Sequence, residues 1–329
     1  MSDSPPSSSL APVTVITAAY SMERWALTCA AVDSVLHQTR TPLDIIIPVD
    51  HNPELFERLK DRWNSPGVPG YAPSITVIES KYDGHLGASE TTAAEAARGE
   101  FLAFLDDDAT AHPEWLEHLL QPFTDPSVIA VGGAPLPVFA KPPPRWFPAE
   151  FNWVFGCAYE GLPTTAAPIR HLIGTTMAVR KRDLLALGGI LSDYHGDMEL
   201  SHRLLSSNPG SKLIYEPMAV VQHHVPESRL NWSYFWRRCF FGNRGKVADM
   251  RGMGSAANLE AERGFVARVL TRGVATGLRQ FVGGDPGGLL RAGAICAGVA
   301  LAGAGYAVGT VEYALRGQVR IDASTPGNR

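Results

Sequence analysis

Three consecutive aspartates, Asp106, Asp107 and Asp108, follow the apolar run Phe101–Leu105. A short buried strand that ends in three carboxylates poses a charge problem, because adjacent carboxylates repel and resist desolvation. A divalent cation resolves it, and hard oxygen ligands suit Mg²⁺ or Mn²⁺. An ion at the carboxyl end of a strand commonly carries a phosphorylated substrate, so the stretch points to a metal-diphosphate site. The plainer alternative is a solvated acidic turn capping a helix that opens near His112-Pro113-Glu114.

Four other places carry residue types suited to such a site. Asp50 ends the apolar run Leu43–Val49 and could bind a ribose hydroxyl, or it could cap the helix that His51-Asn52-Pro53 opens. Gly84-His85-Leu86-Gly87 is a turn before an Ala-rich helix, whose free backbone N–H groups would favour an anion. Asp197 falls at the cap or first turn of a helix beginning Gly196-Asp197-Met198-Glu199. There it could serve as a general base, or simply cap the helix while Glu199 pairs with Arg203. His223 and His224 end an apolar strand, and neighbouring strand residues face opposite sides, so only one can face a site. A lone strand-end histidine is more often structural than a ligand.

The elements that must position these residues read as alternating strands and helices. Val13–Ala19, Leu43–Val49, Ile75–Glu79 and Phe101–Leu105 are the strands; Glu23–Gln38, Pro53–Trp63 and the stretch up to Arg98 are the helices. That alternation predicts a parallel, doubly wound sheet with strand ends on one edge. Asp50, the Gly84–Gly87 turn and Asp106–Asp108 would meet there. After Pro113–Gln121 a short strand, Val128–Val131, leads into a Pro-rich stretch from Pro135 to Pro148 containing Trp146, followed by Phe151–Gly156 with Trp153. These aromatics would form either an acceptor-binding wall or ordinary core under a long loop. Ile173–Val179, Lys212–Tyr215 and Ala219–Val225 are late strands; Lys181–Leu187 and Asn231–Lys246 are late helices.

The chain has 329 residues, enough for one large α/β domain with an appendage. A net charge of −4 gives no sign of a nucleic-acid binder. Four scattered cysteines form neither a disulfide framework nor a zinc pattern, and fit a reducing cytoplasm. Residues 1–11 read as a Ser/Pro-rich disordered tail, 12–250 as the catalytic domain and 251–329 as a C-terminal helical region. In the last, Glu262–Gln280 is an arginine-rich helix, Asp285-Pro286-Gly287-Gly288 breaks it, and Ala292–Val311 is uncharged. Gly305 and Gly309 form a GxxxG. Three readings compete: a hairpin packed on the catalytic domain or in a homodimer, a peripheral membrane contact at the inner face of the cell membrane, and a single span.

In order and spacing, VTVITAAYSMERW, the strand ending in Asp50, ARGEFLAFLDDDA, GDMELSHRL and YEPMAVVQHHVP resemble the inverting glycosyltransferases of family 2, from about Pro12 to Lys246. The resemblance implies an α/β GT-A fold: a Rossmann-like, mostly parallel sheet flanked by helices, here with a C-terminal helical appendage. It implies transfer of a hexosyl or deoxyhexosyl group from a UDP-, GDP- or dTDP-linked donor to a glycan, lipid-linked or small-molecule acceptor. On the family's pattern the first strand with Thr17, and the turn with Tyr20 and Glu23, wall the nucleotide base. Asp50 lies near the base or ribose, and Gly87 near the diphosphate. Asp106 and Asp107 of the DXD motif face the nucleotide sugar, and Asp108 faces Mn²⁺ or Mg²⁺, with His223 completing the metal site. Asp197 becomes the catalytic base, and Trp146 and Trp153 fall in the acceptor region.

Two departures stand out: Gly196 replaces an acidic residue, and Ser89-Glu90-Thr91 replaces an Ala-Arg-Asn. They support a rival reading, a degenerate non-catalytic scaffold or partner at the membrane. A nucleotidyltransferase would carry a Gly-rich basic loop after its first strand, where this chain has AAYSMERW.

Overall fold

The computed structural model describes residues 11–63, 73–82, 86–191, 196–250 and 266–316. Most of the N-terminal tail, the loop at 64–72, Gly84-His85 and residues 262–265 therefore lie outside the described residues.

Among the described residues nine strands make one curled sheet: β1 (Val13–Ile16), β2 (Asp44–Val49), β3 (Ser74–Glu79), β4 (Phe101–Leu105), β5 (Ala109–Ala111), β6 (Val128–Phe139), β7 (Ala167–Ile169), β8 (Thr176–Arg180) and β9 (Lys212–Val225). Their order is β3-β2-β1-β4-β8-β6-β9-β5, with β7 also on β9. The first four run parallel, as do β6 and β9, whereas β8, β5 and β7 run against their neighbours. β1, β2 and β4 are buried along their whole lengths, as expected of parallel strands covered on both faces.

Helices cover both faces. Val13, Val15, Ile45, Ile47 and Leu105 pack under α1 (Trp25–Leu36), α2 (Pro53–Trp63) and α4 (Trp115–Leu120). Ile16, Ile46, Leu102 and Phe104 pack under α3 (Leu86–Ala96), α5 (Lys181–Ala186) and α6 (Gly196–Ser207). Alternate residues of one strand thus serve opposite cores. In α2, Leu55, Leu59 and Trp63 recur every fourth residue and are its buried face.

The second half departs from the expected short pieces. Val128–Val131 is only the start of β6, which runs on through Pro135 and Pro137 to Phe139. Prolines are tolerated because only Ala130–Gly132 of β6 pair with β8. Beyond that point the edge away from β9 is open, and the Pro135 carbonyl turns to it, accepting from Ala158 N at 2.7 Å. Lys212–Tyr215 and Ala219–Val225 join into the single strand β9, which absorbs Glu216-Pro217-Met218 through a register irregularity opposite Gly132/Ala134. β8 begins at Thr176 rather than Ile173.

The C-terminal helices α7 (Trp232–Met250), α8 (Thr271–Val282) and α9 (Pro286–Arg316) close over a third, aromatic cluster with Phe147, Phe151, Phe155 and Phe235. Asp285 ends one helix and starts the next: its Oδ1 accepts from Gly287 N at 2.9 Å, with Pro286 at the first helical position. Gly305 and Gly309 abut the backbone of Phe240 and Arg244 so closely that a Cβ would not fit. The GxxxG is therefore used inside the chain, seating α9 on α7.

Candidate functional site

The parallel strand ends, β5 and β9 enclose a cleft of about 740 Å³, its open mouth included, whose lining includes Tyr20, Arg24, Asp50, Glu90, Asp106, Asp107, Asp108, His223 and Arg229. The aspartates sit where the chain leaves the parallel sheet. After β4 it turns sharply and enters β5, which runs antiparallel to β9 with Ala109 opposite His223. His224 N donates to the Asp108 carbonyl at 2.8 Å, which locks that register. Of the two histidines, His223 is thereby the one turned inward; it is 3% exposed, and its Nε2 lies 3.1 Å from Asp108 Oδ1.

Asp106, Asp108 and His223 each offer a ligand atom, all within 4.8 Å of one another. Two carboxylate oxygens and an imidazole nitrogen form a donor set for a hard divalent cation. Asp107 Oδ2 is buried and has no hydrogen-bond partner among the described residues, a polar atom that an ion or ligand would satisfy.

Arg24 also enters the cleft. Its guanidinium lies 3.0 Å from Asp107 Oδ1, contacts Asp108 Oδ2, and donates to the Tyr20 hydroxyl at 2.7 Å. The surroundings split the acids' behaviour. Burial raises Asp106, with Asp108 adding to the effect. Burial pushes Asp107 up to about 8 against the pull of Arg24. Burial also works against the Asp108 anion, but the hydrogen bond and charge of His223 outweigh it and hold Asp108 down to about 2. Burial would lower His223, yet Asp108 and Cys157 carry it up to about 10. Behind His223, its Nδ1 meets the buried Cys157 Sγ at 3.2 Å.

Asp50 is freed for the cleft by its neighbour. Asn52 caps α2, its Oδ1 accepting from Leu55 N at 3.0 Å, so the cap reading of Asp50 does not hold. His51 sits in the left-handed region at φ 45° and places its Nδ1 2.7 Å from Asp50 Oδ1. Asp197 lies in the first turn of α6, with Oδ1 accepting from Met198 N at 2.8 Å and Oδ2 from Gly174 N at 3.0 Å. Gly174 precedes Thr175, whose carbonyl accepts from Asp106 N at 3.1 Å. Thus two hydrogen bonds and one peptide step connect Asp197 to the acidic turn. Arg203, paired with Glu199 as expected, also donates to the Leu187 and Gly189 carbonyls and fixes α6 against α5.

Other expected site residues lie elsewhere. Glu23 is exposed, and it is Arg24 that turns inward. Thr17 is fully buried beneath the cleft. Gly87 packs against Ile190. Trp146 stacks edge-on with Phe147, Trp232 and Phe235, and Trp153 lies against Phe151, so both belong to the aromatic cluster that joins the C-terminal helices. Arg24, Glu90, Cys157 and Arg229 join the cleft or its support without having been assigned to the site from sequence.

Residues 14–188 match the family described as Glycosyl transferase family 2. The chain is a family 2 glycosyltransferase. It is 31% identical over 248 residues to the glucosyl-dolichyl phosphate glucuronosyltransferase of Haloferax volcanii, covering 72% of this chain and 77% of that protein. Its fold is that of the GT-A enzymes. The mannosyltransferase PcManGT from Pyrobaculum calidifontis, solved with GDP-Man and Mn²⁺, superposes with a TM-score of 0.55 over 90% of this chain and 88% of that one, at 18% identity. GalNAc-T7, solved with UDP, GalNAc and Mn²⁺, gives 0.52 over 78% of this chain and 54% of that one, at 15% identity.

Proposed function

We propose that this family 2 glycosyltransferase moves a sugar from a nucleotide-sugar donor to an acceptor hydroxyl in a single inverting displacement. The observation that carries the reading is the cluster of Asp106, Asp108 and His223, structurally connected to Asp197 through Gly174 and Thr175. Asp106, Asp108 and His223 would hold Mn²⁺ or Mg²⁺, and such an ion, when bound, supplies the Lewis acidity that stabilises a leaving nucleoside diphosphate. Asp50 and Tyr20 border the nucleoside end of the cleft. Asp107 pairs with Arg24, keeping that guanidinium within reach of a diphosphate. Asp197 takes the acceptor's proton; its oxygens are oriented by Gly174 N and Met198 N, which holds the carboxylate in one geometry.

The relative that acts on a glucosyl-dolichyl phosphate favours a lipid-linked acceptor among the three classes. The C-terminal helices support it: α9 is long and apolar enough to cross a membrane, with 28% of its most apolar window buried. Leu289 and Leu290 in its first turns, and Leu278, Phe281 and Val282 in the neighbouring α8, are exposed. Because α9 is seated on α7, the reading is a peripheral contact along this apolar face, within a C-terminal region distinct from the catalytic domain.

The test is a screen of nucleotide sugars for release of the nucleotide, with and without EDTA, followed by Asp197→Asn. Turnover should require the divalent ion. Asp197→Asn should bind donor normally and lose at least about a hundredfold in rate. Full turnover in that variant would remove Asp197 from the mechanism.

A further inference from the structure

Asp50 follows β2 at the lip of the cleft, two strands from the acidic turn, because β1 lies between β2 and β4. Two strand spacings are about 10 Å, room for a ribose and a base edge beyond a diphosphate at Asp106–Asp108. The backbone around Asp50 is tied down on both sides. Asp50 N donates to the Ala19 carbonyl at 2.9 Å, and Asn52 Nδ2 donates to the Tyr20 carbonyl at 3.1 Å, which joins the ends of β1 and β2. Between these two anchors His51 takes φ 45°, a left-handed conformation uncommon outside glycine. The turn folds the imidazole back onto the preceding residue, with Nδ1 2.7 Å from Asp50 Oδ1. A carboxylate oxygen only accepts, so Nδ1 is the donor. Among the described residues no side chain engages the other oxygen, Oδ2.

We infer that the His51–Asp50 pair selects the base of the donor, favouring uracil, or thymine with the same edge, over guanine. The inference rests on the transfer reading above and narrows its donor to a uridine- or thymidine-diphosphate sugar. Guanine presents two adjacent donors, N1–H and N2–H, and is met best by a carboxylate with both oxygens bare. Uracil presents one donor, N3–H, between two carbonyls, and the second oxygen of a bare carboxylate would face a carbonyl of like partial charge. With Oδ1 engaged by His51, Asp50 offers the single acceptor that uracil needs. Cytosine carries a lone pair at N3, which an acceptor in that place repels. The two superposed structures leave the choice open, since one holds UDP and the other GDP-Man. The base is thus read by a hydrogen bond between neighbouring residues that a left-handed turn makes possible.

The experiment titrates UDP, CDP and GDP into the full chain with Mn²⁺ by calorimetry. UDP should bind at least about tenfold tighter than GDP or CDP, the discrimination expected of one well-placed hydrogen bond. His51→Gly keeps the backbone turn, which glycine adopts freely, and bares Oδ1. The UDP-to-GDP ratio should then fall to about threefold or less. Asp50→Asn supplies an amide that can donate to N3 of cytosine, and should bring CDP to within about threefold of UDP. Thermal unfolding with Mn²⁺ establishes that each variant is folded. Binding of GDP as tight as that of UDP in the wild type, an unchanged ratio in His51→Gly, or an unchanged order of nucleotides in Asp50→Asn would overturn the inference and leave glycosyl transfer standing. No Mn²⁺-dependent binding of any of the three would overturn the transfer reading and the inference with it.

Discussion

Arg24 is the cation that holds the acidic turn together in this structure, and its removal has a calculable effect. Its side chain is 15% exposed and those of Asp107 and Asp108 are 6%, so the contacts are poorly screened. Deleting one partner of a buried ion pair costs about 3–5 kcal/mol. Two features pull the expected value to the lower end: His223 still holds Asp108 at 3.1 Å, and the carboxylates can take up protons. Arg24→Met in EDTA should therefore lose about 3 kcal/mol, a fall of roughly 6 °C in Tm for a domain of this size. Mn²⁺ binding to the folded state adds stability in proportion to its occupancy, about 2.7 kcal/mol at a hundred times Kd. An ion held by Asp106, Asp108 and His223 would compete with the guanidinium for Asp108 in the wild type, and in the variant it would not. The stabilising increment from Mn²⁺ should accordingly be larger in Arg24→Met, and Mn²⁺ affinity measured by electron paramagnetic resonance should be tighter. The assay is a pair of melting curves for each protein, with EDTA and with saturating Mn²⁺. Equal increments, or a variant that melts within about 1 °C of wild type in EDTA, would refute the claim that the guanidinium and the ion share these carboxylates.

Three other outcomes follow from the same geometry. In EDTA, stability should decline as pH rises from about 5 to 8: Asp107, carried up to about 8, and Glu90, also raised, bind more protons folded than unfolded, and that preference is lost as each ionises; a rising or flat Tm over that window would contradict it. Cys157→Val should weaken Mn²⁺ binding by about 10–100-fold, because it removes the group behind His223 that orients the ring, whereas Cys157→Ser should restore most of it; titration of the ion into each variant decides. Gly309→Leu should destabilise by about 3 kcal/mol or more, since no side chain fits between α9 and the Arg244 backbone, and limited proteolysis should then release the C-terminal helix.

The parallel half of the fold was legible in the sequence because buried parallel strands read as continuous apolar runs and their ends carry the polar residues. β1, β2 and β4 fell within a few residues of their expected bounds for that reason. The later strands were less legible. Pro135 and Pro137 read as strand breakers, and only the pairing pattern shows that their nitrogens face an open edge. Trp146 and Trp153 illustrate a second limit: an aromatic in a Pro-rich segment has the same local signature whether it faces a ligand or a neighbouring helix. The deciding partner, α7, lies some eighty residues away.

The site itself divides along the same line. A carboxylate at a strand end advertises its role through the charge problem it creates, so Asp50 and Asp106–Asp108 could be singled out from their neighbours alone. The residues that answer the charge could not. Arg24 sits in an ordinary helical opening, and nothing local says that its guanidinium crosses to Asp107 and Asp108. Cys157 lacked any partner in sequence, and meets His223 only because Gly156, at φ 73°, turns the chain against the end of β9. Glu90 is the sharpest instance. As a departure from the Ala-Arg-Asn pattern it read as a mark of degeneracy. In the fold it is 7% exposed and lines the cleft with Asp106, where burial holds its carboxyl well above the usual carboxylate range. The same substitution thus argues against an inactive scaffold, because a decayed site has no reason to keep a buried acid in the cleft that holds Asp106, Asp107 and Asp108.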